Sequence, residues 1–193
     1  MKIGILLFKE KNQPRWLFSA LMFVSFMVFN MYQTQAQCPP GAVCATYTAG
    51  DIASDFDFDT PADFPAACLG SVTVTIPAGD WVDSVSTSYD MTAANGAWMS
   101  EQRTWLYSPT TLVGEPSSAA GAGLGGTFNY NRTGLSFANT ATGTVTIEMH
   151  AGRTWGGAGC DPSYNKVDNS TWEVIVYHSP QPSCLPAIGL QNV

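Results

Sequence analysis

The chain has 193 residues and a formal charge of −7, from 8 Lys and Arg against 15 Asp and Glu. Four of the cations (Lys2, Lys9, Lys11, Arg15) and one acid (Glu10) lie in the first 36 residues, so the remainder holds four cations against 14 carboxylates, a net −10. That balance excludes a surface built to hold nucleic-acid phosphates, which needs many Lys and Arg contacts to release counterions, and it opposes docking on anionic lipid.

Residues 1–36 read as a secretory signal that begins as a helix. A basic start precedes an apolar run over residues 16–29. Thr34-Gln35-Ala36 then places small residues before a cut at Gln37. The competing reading is a retained anchor, but a spanning helix wants about 20 apolar residues, and Asn30, Gln33 and Gln35 close this run early. The expectation is therefore an exported protein, at the cell surface or free, with no stable membrane insertion after cleavage.

Export makes disulfides the default state of cysteine. All five cysteines (Cys38, Cys44, Cys68, Cys160, Cys184) follow the cut, and none forms the closely spaced pair that metal binding needs. Cys38 and Cys44 suit a small loop near the new N-terminus. Cys68 and Cys160 suit a long one, although four cysteines allow three connectivities. Cys184 is left over.

The acidic stretch Asp55-Phe56-Asp57-Phe58-Asp59 comes next. Read as a strand, it places Asp55, Asp57 and Asp59 on one face and both phenylalanines on the other. Three carboxylates on one face are half of a calcium site, or an acidic face open to solvent. Calcium is thus the one cofactor the sequence suggests.

Residues 72–76 alternate apolar and hydroxyl side chains, the signature of a half-buried strand. A turn follows at 77–80. In the strand from Trp81 to Met91, Val82 is out of phase with Val85, which predicts a bulge or a bend between two strands. Asn95-Gly96 is a strong hairpin signal, because both central residues of a type I′ turn need positive φ; it is expected to join residues 89–91 to a strand over 97–107. Gly121 to Gly126 reads as a surface loop. It lacks the strand before and helix after that a dinucleotide motif requires. Further strands are expected over 143–150 and 171–178. No stretch beyond residue 36 repeats apolar residues with helical spacing. The fold class is therefore all-β: an antiparallel two-sheet sandwich resembling a jelly roll, occupying residues 37–178. Residues 179–193 read as a Pro-rich linker.

Catalytic material is sparse. His150 and His178 sit at predicted strand ends, no G-x-S-x-G elbow occurs, and Glu101, Glu148 and Glu173 are candidates only for a carboxylate pair. The chain is expected to be no enzyme. Two of the four remaining cations share a tripeptide, Arg103-Thr104-Trp105 and Arg153-Thr154-Trp155. Arg binds hydroxyls and carboxylates and stacks on rings. With Trp98 these residues form a candidate carbohydrate site: Trp98, Arg103, Trp105, Arg153 and Trp155. The dull alternative is ion pairs beside core tryptophans. Asn131-Arg132-Thr133 and Asn169-Ser170-Thr171 match the N-glycosylation pattern, which matters only in a eukaryotic host.

The segments 95–103, 150–157 and 165–174 resemble a β-sandwich module of bacterial secreted multidomain proteins, similar to galactose-binding-like jelly rolls and to the P domain attached to some secreted proteases. Residues 184–193 resemble the opening strand of a fibronectin type III repeat. The resemblance implies a binding or adhesion module with a glycan or other cell-surface ligand, or else a spacer or accessory domain of a larger secreted hydrolase or protease. It carries no catalytic residues across. Oligomeric state is left open.

Overall fold

Alternation along the chain builds two facing sheets, described in a computed structural model for residues 38–63 and 68–182. The expected signal segment, the fibronectin-like start and Cys184 lie outside the described residues. The strands are β1 (Ala42–Thr46), β2 (Ile52–Phe56), β3 (Leu69–Thr75), β4 (Asp80–Ala93), β5 (Gln102–Ser108), β6 (Val113–Gly114), β7 (Ala119–Ala120), β8 (Gly126–Leu135), β9 (Thr144–Arg153), β10 (Asp161–Val167) and β11 (Glu173–Pro180). Short 3-10 turns occupy Pro61–Asp63 and Met99–Glu101.

In the first sheet, β4 is central. It pairs with β8 along one edge, and with β11 and then β10 along the other, while β1 extends the sheet beyond β11. In the second sheet β9 lies between β3 and β5, and β6 and β7 add a broken edge to β5. β2 joins the two sheets: Ile52–Ser54 pair antiparallel with β10, and Asp55 and Phe56 run parallel to the end of β9. All other pairs are antiparallel. The result is the all-β sandwich with jelly-roll character that the alternation predicts.

The inner faces supply the core. Val72, Val74, Val145, Ile147, Met149 and Leu106 from the second sheet meet Val82, Val85, Met91, Val174 and Val176 from the first. Each such burial contributes roughly 1.5–3 kcal/mol before chain entropy is set against it. Trp172 is wholly buried and satisfies its indole N–H on Thr87 Oγ1 at 3.0 Å. The irregularity expected near Val82 is a bulge within one continuous strand. Ser84 faces Tyr177 and Val82 faces His178, so Asp83 is the extra residue, and Val82 and Val85 both point inward.

Three expectations are corrected. Asn95 and Gly96 do form the left-handed turn, with φ of 52° and 87° and a closing bond from Ala97 N–H to Ala94 O of 3.0 Å. The flanking strands do not pair, however. β4 lies in the first sheet and β5 in the second, so the turn crosses between layers. The acidic strand also ends early. β2 stops at Phe56, and Phe58 is buried over Gly152, where a Cβ would collide with the Phe58 ring. Asp55, Asp57 and Asp59 therefore do not share one strand face. β11 continues through Pro180, two residues past the expected end of the sandwich at 178.

Candidate functional site

Strand directions bring four connections to one end of the sandwich: residues 57–63 after β2, 94–101 between β4 and β5, 121–125 between β7 and β8, and 154–160 between β9 and β10. Cross-links among them make a continuous rim. The Glu101 carboxylate accepts the Trp98 N–H at 2.8 Å, and Glu101 O accepts the Thr154 N–H at 3.0 Å. Met99 N–H donates to Leu124 O at 2.7 Å. Asn95 Nδ2 donates to Ser163 O at 2.7 Å, and Ser163 N–H donates to Asp161 at 2.8 Å. That last bond holds the Asp161 carboxyl below the usual carboxylate range. Trp98 is 50% exposed and Trp155 46%, with Leu124 at 65% on the same rim. Trp155 stands edge-on to Tyr164, ring centres 5.7 Å apart at 85°.

The five residues expected to hold sugar separate in the structure. Trp98 and Trp155 are accessible on the rim. Arg103 lies behind them, its Nε on Asp59 at 2.7 Å and its Nη1 on Ser100 O and Gln102 O. Trp105 lies on the outer face of the second sheet, stacked on Tyr107 and tilted against His150, with its indole N–H donated to Glu115 O at 2.7 Å. Arg153 is wholly buried. Its guanidinium donates to Ser54 O and Gly157 O, to Ser54 Oγ at 3.2 Å and to Gly159 O at 3.0 Å. It also lies 5.2 Å from the centre of the Tyr164 ring. Burial, the leading cause, lowers the Arg153 pKa from its ordinary value, against the pull of Asp161 and Asp55. Arg153 thus fastens the glycine-rich loop that carries Trp155, and a ligand in solvent does not reach it.

The three acids expected to bind metal are likewise apart in their bonding. Asp55 accepts the Phe56 N–H at 2.9 Å, Asp59 pairs with Arg103, and Asp57 is exposed. Among the described residues, the one grouping of three potential metal-ligand side chains is Asp55 with Cys68 and Cys160. Those sulfurs are joined to each other, as are those of Cys38 and Cys44. Both expected disulfides are therefore present, and neither leaves a thiolate for a metal. The candidate acid–base groups are scattered. His178 Nδ1 meets Asp80 at 2.6 Å, while His150 Nε2 meets Glu148 at 3.3 Å on the other sheet.

One arrangement escaped the sequence reading. Between the sheets, below the rim, lies a buried polar layer. Gln102 Nε2 donates to Met91 O at 3.0 Å, and Gln102 Oε1 accepts from Tyr130 at 3.3 Å. Tyr130 stacks on Tyr89, whose hydroxyl is 2.5 Å from Thr104 Oγ1. Burial raises the pKa of both tyrosines, keeping them protonated. Arg132 pairs with Glu115, which also accepts the Leu106 N–H at 2.9 Å. Every one of these polar groups has a partner, the condition for a buried network to rigidify a core. Gly114-Glu115-Pro116 reads as a turn, and no local signal turns its carboxylate inward.

No family model and no curated protein matches the chain. Among solved structures it is similar to dimeric latent PorU from Porphyromonas gingivalis, with 11% identity over 72% of this chain and 12% of that one, TM-score 0.37. It is also similar to the infectious bursal disease virus VP2 subviral particle, with 14% identity over 71% and 33% of the two chains, TM-score 0.38. A third is the Gx strain of that virus, with 12% identity over 75% and 42%, TM-score 0.34. The chain thus spans about an eighth of the PorU chain. At these identities and TM-scores the likeness assigns neither a family nor an activity. Among the described residues, no helix is long and apolar enough to cross a membrane.

Proposed function

We propose that the protein is a non-catalytic, extracellular binding or adhesion module that takes carbohydrate on the rim bearing Trp98 and Trp155. The observation that carries this reading is that both tryptophans are about half exposed on loops pinned from beneath. Large rings left in solvent on a fixed backbone offer contact area at little entropic cost. The disulfides support an oxidising compartment. Glycan-array binding tests the reading. Binding by the wild-type chain is expected to vanish in Trp155→Ala at unchanged melting temperature. Equal binding by the variant, or no glycan bound at all, contradicts it.

A second reading, a spacer or accessory domain of a larger secreted hydrolase or protease, draws on the opposite end of the sandwich. There the β5–β6 turn exposes Leu112 (76%) and Val113 (48%). Leu112 is held at φ 58°. An apolar side chain kept in solvent on a left-handed backbone suits a contact with an adjoining domain.

A further inference from the structure

We infer that the ligand taken at the Trp98–Trp155 rim carries a free, positively charged amine, so that among glycans the site selects an amino sugar whose nitrogen is not acetylated. The inference rests on the carbohydrate reading above and adds the ligand's charge. The carboxylates that hydrogen bonds place beside the two rings are those of Glu101 and Asp161. The Glu101 carboxylate sits at the base of Trp98, bonded to its N–H. Asp161 is tied through Ser163 and Asn95 to the turn beneath Trp155, since a Cβ at Gly96 would lie 3.9 Å from the Trp155 ring. Asp57 is exposed, and Asp59 retains 60% side-chain exposure beside its arginine. The cations at this end are withdrawn: Arg153 is wholly buried, and Arg103 is 17% exposed and already paired with Asp59.

Rings and carboxylates act in the same direction here. The face of an indole attracts cations, most strongly among the aromatic side chains. Tyr164, perpendicular to Trp155, already has Arg153 over its ring. Neighbouring carboxylates add an attraction that physiological salt, with a screening length of about 8 Å, only partly screens. An acetylated nitrogen gains neither effect, and an acidic sugar is repelled. Charge complementarity therefore favours an ammonium-bearing chain over neutral or acidic glycans.

Isothermal titration of the full chain with a glucosamine oligomer and its N-acetylated counterpart of equal length tests this. The free-amine oligomer is expected to bind about five- to tenfold more tightly at low salt. That preference should shrink at ~0.5 M salt, where screening shortens to a few ångström. It should also shrink in Asp161→Asn, which keeps a side-chain acceptor for Ser163. Trp155→Phe, with circular dichroism to confirm the fold, should retain the preference at lower affinity, and Trp155→Ala should lose it. Equal binding of the two oligomers, or tighter binding of the acetylated one, overturns the inference while leaving the carbohydrate reading intact. Binding of neither oligomer overturns the inference and leaves the carbohydrate reading to the glycan array; binding of an oligolysine peptide alone, with no glycan bound, overturns both.

Discussion

Arg153→Met removes the buried guanidinium that holds the Trp155 loop while roughly keeping its volume. Its four acceptors do not suffer equally. Gly157 and Gly159 are exposed, so their carbonyls recover bonds to water, whereas Ser54 is wholly buried and its carbonyl does not. An orphaned buried acceptor costs about 1–3 kcal/mol. Removing a desolvated cation, whose protonation burial already weakens, offsets part of that cost. The net loss is about 2 kcal/mol, equivalent to about 4–8 °C in a domain of this size. Thermal unfolding followed by circular dichroism measures it. Hydrogen exchange should then show faster amides over 154–160 with β5 and β9 unchanged, because the lost bonds are local. A melting temperature within about 1 °C of wild type, with loop protection retained, would refute the argument that Arg153 fastens the rim.

Replacing Cys68 and Cys160 together by serine opens a bridge spanning 92 residues of sequence; the chain-entropy model predicts a loss of roughly 4–5 kcal/mol. Urea unfolding of the double variant checks this, and a midpoint equal to wild type contradicts it. Calcium at millimolar concentration is expected to leave the melting temperature unchanged, since Asp55, Asp57 and Asp59 do not converge. A rise beyond about 1 °C would show binding to the native state and restore the metal reading. Asp51 meets Lys166 at 2.6 Å. That hydrogen bond is the leading cause both of the lowered Asp51 pKa and of the raised Lys166 pKa. Asp51 stabilises the fold above its unfolded value of 3.8 and loses that contribution as pH falls through its lower folded value; Lys166 contributes below 10.5 and loses it only as pH rises through its higher folded value. The stability difference between wild type and Asp51→Asn should therefore stay flat from about pH 5 to 9 and close in acid. A difference that grows on acidification would reverse the sign of the reasoning.

Local chemistry was legible in the sequence, while pairing was not. Asn95-Gly96 announces its left-handed turn because φ is decided within two residues, but which strands flank it depends on chain tens of residues away. The two Arg-Thr-Trp tripeptides show the limit most plainly. In Arg103-Thr104-Trp105 the threonine is wholly buried and the arginine faces outward; in Arg153-Thr154-Trp155 the arginine is the buried one. A strand alternates with period two, so one step of register exchanges the faces, and nothing within three residues sets that step. Asp55, Asp57 and Asp59 were misread for a related reason. Alternation holds only while the strand lasts, and this one ends where Phe58 finds the space over Gly152. The Glu115–Arg132 pair joins a turn to a strand 17 residues on, with no pattern to connect them.

The claim on which the account turns is that ligand meets Trp98 and Trp155 and not Trp105 or Trp172. Indole N–H resonances, assigned by single substitutions and followed during glycan titration, test it directly. The signals of Trp98 and Trp155 should move with added ligand, while those of Trp105 and Trp172, already bonded to Glu115 O and Thr87, should stay in place. Movement of Trp105 or Trp172 with the rim pair unmoved would contradict the account.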